Sequence, residues 1–269
     1  MSDASPLSEN YLLRFGGIAR LYGRAALEYF HNSHVCVIGI GGVGSWAVEA
    51  LARSGIGQLT LIDLDDICIS NVNRQIHALD GQIGKIKVNA MAERVQAINP
   101  ECRVNVIEDF IGEDNLTECL PTSLDYVLDA IDSVRAKAAL LNYCKRNKIA
   151  VITTGGAGGQ VDPTQISITD LTKTTHDPLA ARVRNQLRKQ YGFPKGPKAK
   201  FSIDCVYSTE QLKYPQADGS VCLQKPSTEE GPVKLDCASG FGAATVVTST
   251  FGMVAASRIL NKLASKTAQ

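Results

Sequence analysis

The sequence has eight cysteines but no C-x-x-C pair among them, which removes the usual spacings of a zinc ribbon and of a thioredoxin-type redox motif. Several of the eight (Cys36, Cys68, Cys102, Cys119, Cys144, Cys205, Cys222 and Cys237) sit inside apolar runs, where a cysteine behaves as a small buried hydrophobe. The opening residues, MSDASPLSENYLLRFGG, lack a basic segment followed by an apolar block. No secretory signal is expected, and a reducing cytoplasm is the expected compartment. Net charge is also scarce: 28 Lys and Arg against 27 Asp and Glu leave +1. The molecule as a whole does not attract polyanions, so any affinity for nucleic acid has to come from a local patch. There is no internal repeat and no long low-complexity run.

One stretch, residues 237–257, carries no charge and is long enough to span a bilayer. It is dominated by Gly, Ala, Ser and Thr, which insert weakly beside Leu, Ile and Phe. The expectation is a buried or interface helix with no stable membrane insertion; a peripheral membrane contact is left open.

What is present suits an ordinary soluble core, with 44% apolar and 20% charged residues. A length of 269 residues allows one large domain or one domain with an appendage. Helical spacing runs over 18–30, and a short apolar run over 35–38 ends in Gly39-Ile40-Gly41-Gly42-Val43-Gly44. A helix follows over 45–54, stopped by Gly55-Ile56-Gly57, and then a buried strand over 59–64 with Asp63, Asp65 and Asp66 at its end. The alternation continues: helix 85–98, strand 103–107, strand 125–130, helix 133–146, strand 149–154. Strands alternating with helices, the strands almost continuously apolar, predict an α/β fold with a doubly wound, mostly parallel, Rossmann-like sheet. Past residue 155 the texture loosens into a C-terminal extension of strands and helices. It has a strand near 165–171, a helix over 178–191, loops over 192–200 and 226–232, and a final helix over 240–263.

A glycine-rich turn between strand and helix lets backbone N–H groups approach phosphates closely. Gly39, Gly41 and Gly44 supply it, and Asp63 stands at the next strand end, where a carboxylate accepts from ribose hydroxyls. Alone, these features point most often to NAD or FAD. The following residues argue otherwise. Asn71, Asn73, Arg74 and Gln75 come soon after Asp63, Lys87 opens the next helix, and Asp132 follows the fourth strand. Fixed cations and a carboxylate crowd a nicotinamide, which needs an apolar face. They suit ATP, with Arg74 and Lys87 offsetting phosphate charge and Asp132 able to hold magnesium.

The series GIGGVG, LIDLDD, SNVNRQ, IGKIK and DAIDS resembles the ubiquitin-activating-enzyme-like superfamily, which includes the bacterial ThiF and MoeB adenylating enzymes. The match covers residues 14–155. That resemblance implies a nucleotide-binding set of Gly39, Gly41, Gly42, Gly44, Asp63, Asp65, Asn71, Arg74, Gln75, Lys87, Asp132 and Ser133. Within it, Arg74, Lys87 and Asp132 are catalytic and Asp132 holds Mg²⁺. RFGGIARLYG, NRQIHAL, TTGGAGGQVDPTQI and DCASGFGAAT extend the resemblance along nearly the whole chain, to the branch of tRNA-modifying dehydratases that act on threonylcarbamoyladenosine. It implies one unit over 1–269, an ATP-binding half over 1–155 and a substrate and interface half over 156–269. The implied activity is adenylation of the threonylcarbamoyl carboxylate on an adenosine beside the anticodon, then ring closure with release of AMP. The alternative on the same fold is adenylation of the C-terminus of a ubiquitin-like sulfur carrier. A homodimer and sulfur-relay partners of the CsdA and CsdE type are implied in the same way.

Two features depart from ThiF and MoeB. Gly17 stands where a second N-terminal arginine is usual, leaving Arg20 as a substitute reaching from a dimer partner, and the four-cysteine zinc site is missing. For the tRNA, Arg182, Arg184, Arg188, Lys189, Lys195, Lys198 and Lys200 form a basic run free of acidic residues. Tyr191, Phe193 and Phe201 are interleaved as candidate stacking partners. Ring closure is intramolecular and needs no thiol; Cys205 and Cys237 are the two worth testing, with packing the expected role of both.

Overall fold

In the computed structural model, which describes residues 7–216, 218–224 and 241–267, the chain opens with two helices where the spacing predicts one. The first, α1 (Glu9–Tyr22), starts at Ser8, whose hydroxyl accepts from Tyr11 N at 3.0 Å. Gly23 then adopts φ 95°, ends the hydrogen-bond ladder and lets α2 (Arg24–Asn32) leave in a new direction.

The alternating part follows the expected order: β1 (His34–Ile38), α3 (Gly44–Arg53), β2 (Gln58–Ile62), α4 (Lys87–Ile98), β3 (Arg103–Ile107), a short α5 (Leu116–Cys119), β4 (Tyr126–Asp129), α6 (Val134–Arg146) and β5 (Val151–Thr154). The extension adds β6 (Ile166–Asp170), α7 (Pro178–Gln190), β7 (Asp204–Ser208), the small ribbon β8 (Tyr214–Pro215) and β9 (Val221–Cys222), and α8 (Thr245–Ala264).

Seven strands form one sheet in the order β3-β2-β1-β4-β5-β7-β6. Every neighbouring pair is parallel except β6 with β7, which is antiparallel. The inner strands β1, β2, β4 and β5 are buried on both faces, which explains their nearly continuous apolar runs, while β3 and β6 lie at the edges. In β1, Val35 and Val37 join a core formed with α2, α3, α4 and α8, while Cys36 and Ile38 join a core formed with α6 and α7. The uncharged stretch is resolved from residue 245 onward as the first part of α8, with Val247, Phe251, Ala255 and Ala256 buried. No described helix is long and apolar enough to cross a membrane. The 237–240 segment and the 226–232 loop lie outside the described residues.

From β1 the chain first builds β2 and β3 on one side, then returns to build β4 and β5 on the other. The carboxyl end of β1 is therefore a topological switch point, the place where open α/β sheets leave a crevice.

Candidate active site

A cleft of about 860 Å³ opens at that switch point. The turn after β1 forms its floor. Gly39 sits at φ 85°, and a Cβ there would lie 2.8 Å from Ala130 O; only glycine lets this turn pass so close to the end of β4. Gly41 and Gly42 line the cleft, whereas Gly44 does not. A Cβ on Gly44 would lie 1.9 Å from Gly39 O, so this glycine closes the turn onto the start of α3.

Asp63 ties the turn down. Its Oδ2 accepts from Ile40 N at 2.6 Å and its Oδ1 from Asp65 N at 2.9 Å. Burial pushes its carboxyl above the ordinary aspartate range, while Lys87 and these two N–H groups pull it back. The far side of the turn is held by His77, which is buried and donates from Nε2 to Ile40 O at 2.9 Å. Desolvation lowers the imidazole to about 4, so it is neutral at physiological pH and the accepting carbonyl fixes the proton on Nε2. His77 lies within a motif quoted from the sequence, but nothing in the spacing marks it as a support.

The crossover after β2 carries the cations. Asn71 is buried, its Oδ1 accepting from Cys68 N at 3.0 Å. Arg74 is fixed through its backbone, where its carbonyl accepts from Trp46 Nε1 at 3.0 Å. Its guanidinium Nη1 donates to Ser70 O at 2.8 Å and to Asn73 Oδ1 at 2.9 Å. Gln75 is buried on the same wall with Oε1 unpartnered. Lys87, at the start of α4, is only 6% exposed and pairs with Asp65 Oδ2 at 2.7 Å. Across the cleft, Asp132 and Ser133 are exposed on the wall just ahead of α6. Arg74, Lys87 and Asp132 thus line one cavity. Arg20 is exposed on α1 and does not line it.

A buried group of charges beneath Asp132 went unnoticed in the sequence. Asp129 is 0% and Lys137 1% exposed, with Lys137 Nζ 3.0 Å from Asp129 Oδ2. Lys137 also donates to Ile131 O at 2.8 Å, and Asp129 accepts from Ile131 N at 3.1 Å and from Thr153 Oγ1 at 2.6 Å. Ile131, next to Asp132, is therefore gripped at both backbone groups. Asp177 caps α7 by accepting from Ala180 N at 2.9 Å and from Gly156 N at 3.1 Å. Burial raises its carboxyl, opposed by those N–H donors and by Lys137.

The basic run divides. Arg182 is exposed and lines the cleft, and Lys189, Lys195, Lys198 and Lys200 are exposed. Arg184 is half-buried and donates to Leu171 O at 3.4 Å and Thr174 O at 3.2 Å. Arg188 lies over the Phe201 ring at 5.4 Å. These two arginines serve the fold, contrary to the expectation of a uniform tRNA face. The aromatic expectation is corrected as well. Phe201 is buried, Phe193 packs edge-on against it at 4.9 Å, and the Tyr191 hydroxyl bonds to Glu113. Phe201 belongs to the core on the α6 and α7 face of the sheet, and Tyr191 and Phe193 pack against that same core. Cys205 is fully buried and its thiol is pushed well up by desolvation, which makes it a packing residue. Cys237 lies outside the described residues.

The ThiF family matches residues 17–268. The tRNA threonylcarbamoyladenosine dehydratase of Escherichia coli (strain K12) is 59% identical over 263 residues, covering 98% of each chain. The protein of the same description from Haemophilus influenzae is 58% identical over 96% of each. The crystal structure of E. coli tRNA N6-threonylcarbamoyladenosine dehydratase, TcdA, in complex with ATP superposes with a TM-score of 0.86 at 53% identity, covering 98% of each chain. The chain belongs to the ThiF family and, within it, to the tRNA threonylcarbamoyladenosine dehydratases.

Proposed function

We propose that this chain dehydrates threonylcarbamoyladenosine next to the anticodon of tRNA, using ATP to adenylate the threonylcarbamoyl carboxylate before the ring closes. The observation that carries this reading is the convergence of Arg74, Lys87 and Asp132 on one cleft at the switch point of the sheet. A carboxylate attacking an α-phosphate brings two anions together, so charge neutralisation and positioning are the main catalytic demands. Gly41 and Gly42 offer N–H groups to the phosphates, the amides of Gly39 and Ile40 being taken by Ile62 O and Asp63. Asp63 keeps lone pairs free for the ribose, and Arg74 and Lys87 would face the triphosphate. In the first step the carboxylate oxygen bonds to the α-phosphorus and pyrophosphate leaves. In the second, the substrate's own carbamoyl group attacks the activated carbonyl, AMP leaves, and water has been lost overall. No protein nucleophile is required.

Asp132 fits magnesium: it is an exposed hard-oxygen donor on the cleft wall, and magnesium bound with a nucleotide takes one or two carboxylates, phosphate oxygens and waters. Bound there, Mg²⁺ would supply neutralisation of phosphate charge. Residues 1–269 form one functional unit in this reading, because the sheet continues past residue 155 through β7 and β6. The exposed apolar side chains Leu13 and Leu21 of α1 and Val246 and Met253 of α8 support a homodimer, which would bring a partner's Arg20 into play. Sulfur-relay proteins as partners and a cytoplasmic location complete the proposal.

The test is mass spectrometry of tRNA nucleosides after incubation with enzyme and ATP. The expected product is the cyclic nucleoside, one water lighter, formed with AMP and pyrophosphate. Arg74→Ala, Lys87→Ala and Asp132→Ala should each abolish it while leaving the fold intact. Absence of the product from the wild-type reaction, or full turnover by Arg74→Ala, would overturn the reading.

A further inference from the structure

The nucleotide-facing residues occupy only the part of the cleft over β1, β2 and β4. The remainder lies beyond β5 and is built from three separate segments. Residues 155–160 form a glycine-rich turn that is fastened on both sides: Gly159 N donates to Gly242 O at 2.8 Å, and Lys213 N donates to Gly159 O at 2.8 Å. The Phe241 ring seats directly on this turn. A Cβ on Gly158 would lie 3.0 Å from Phe241 Cβ, and one on Gly159 would lie 2.7 Å from the ring. Tyr214 backs the ring, their centroids 5.2 Å apart. Leu179 and Leu212 add apolar wall, and Arg182 stands exposed at the edge.

One polar side chain in this compartment is incomplete. Gln160 is 3% exposed and lines the cavity. Its Nε2 donates to Gly156 O at 3.2 Å, which fixes the orientation of the amide, and its Oε1 has no partner. A buried acceptor without a donor costs free energy. Gln160 borders the cavity although Oε1 itself is closed to water, so a turn of the amide toward the cavity lets it meet a donor carried by whatever fills it.

We infer that this compartment receives the modified base extruded from the tRNA, with Gln160 Oε1 accepting from an N–H or O–H of its threonylcarbamoyl arm. The inference rests on the proposed function and extends it to the substrate's own subsite. The Phe241 ring offers the base an apolar face, as expected of a pocket that takes a nucleobase out of its stack. Arg182 meets the adjoining phosphate. The arm then runs along the cleft toward the nucleotide end, which brings its carboxylate to the α-phosphate.

The experiment compares two anticodon stem-loop RNAs, one bearing threonylcarbamoyladenosine and one bearing plain adenosine, bound to the full-length enzyme with a non-hydrolysable ATP analogue. The wild-type enzyme should bind the modified RNA more tightly. Gln160→Leu should weaken binding of the modified RNA by about tenfold, the worth of one buried hydrogen bond. Its affinity for the plain RNA and its ATP affinity should not change, while its melting temperature should fall only by the share owed to the lost bond to Gly156 O. Should Gln160→Leu fail to fold, Phe241→Leu supplies the same comparison and the same expected loss of discrimination. Equal wild-type affinity for the two RNAs, or an undiminished preference in the folded variant, would overturn the subsite assignment. If the wild-type enzyme forms no cyclic nucleoside at all, the proposed function fails and not the subsite alone.

Discussion

Lys137→Met is the substitution whose consequence follows most directly from the structure. The ammonium is 1% exposed and lies 3.0 Å from Asp129 Oδ2, with the carboxylate itself 0% exposed. At that separation the attraction is about 5 kcal/mol for an effective dielectric of about 20. Desolvation of the two ions costs several kcal/mol each, so the intact pair adds little net stability. Removing one member is a different matter. Methionine fills most of the same volume, which leaves little cavity, but Asp129 then stays buried with no counter-charge and Asp177 loses its stabilising neighbour. The expected loss is about 3–5 kcal/mol, or a fall in melting temperature of roughly 6–20 °C for a chain of this size. Urea denaturation and calorimetry measure it directly. Adding Asp129→Asn removes the stranded charge while keeping a partner for Thr153, so the double variant should recover much of the loss. A single variant weakened by less than about 1 kcal/mol, or a double variant no more stable than the single, would refute the reasoning.

Three further outcomes are expected. His77 titrates near 4 in the folded protein and near 6.5 unfolded, so the unfolded chain binds the extra proton in that window. The stability from the neutral ring is fully present above about pH 6.5 and falls away toward pH 4, by on the order of 3 kcal/mol. His77→Gln should flatten the slope in urea unfolding measured across that range, and an unchanged slope would remove His77 as its source. Replacing Lys189, Lys195, Lys198 and Lys200 by Gln should weaken tRNA binding and lower the salt dependence by about one unit of slope for each lysine that meets a phosphate. Arg184→Gln, whose guanidinium is spent on Leu171 and Thr174, should instead lower the melting temperature with little change in the salt slope.

The parallel half of the fold was legible because β1, β2, β4 and β5 are largely apolar and buried on two faces, β3 alternates as an edge strand, and glycine or Asn-Pro marks helix limits such as Gly55 and Asn99-Pro100. The site could be read for a related reason, since Asp63, Asp132 and the 39–44 turn stand immediately after strands and Lys87 opens a helix. What escaped depends on long-range placement. β7 (Asp204–Ser208) is short and is made a strand by slotting between β5 and β6, neighbours that its own residues do not specify. Lys137 was legible in principle, because it shares its spacing with Leu141 and Cys144 on the buried stripe of α6. A lysine four and seven residues from such positions signals a buried partner. His77 offered no comparable pattern. The interleaved aromatics misled because stacking on a base and fastening a loop to the core call for the same side chains.

The charges around the cleft fall into two kinds, and the difference bears on how the site works. Lys87 is paired with Asp65, whose side chain is 54% exposed, and the guanidinium of Arg74 rests on Ser70 O and Asn73 Oδ1. Both are held in place by partners that water can solvate, so in the proposed function an incoming phosphate would displace them at small cost while the cations stay where they are. Lys137 and Asp129 are enclosed and cannot exchange partners without stranding a charge. The exchangeable pairs lie on the side proposed for the nucleotide, and the fixed pair lies beneath the loop that presents Asp132. This division lets the cleft accept a triphosphate without rebuilding its frame, which is the preorganisation that transfer between two anions requires.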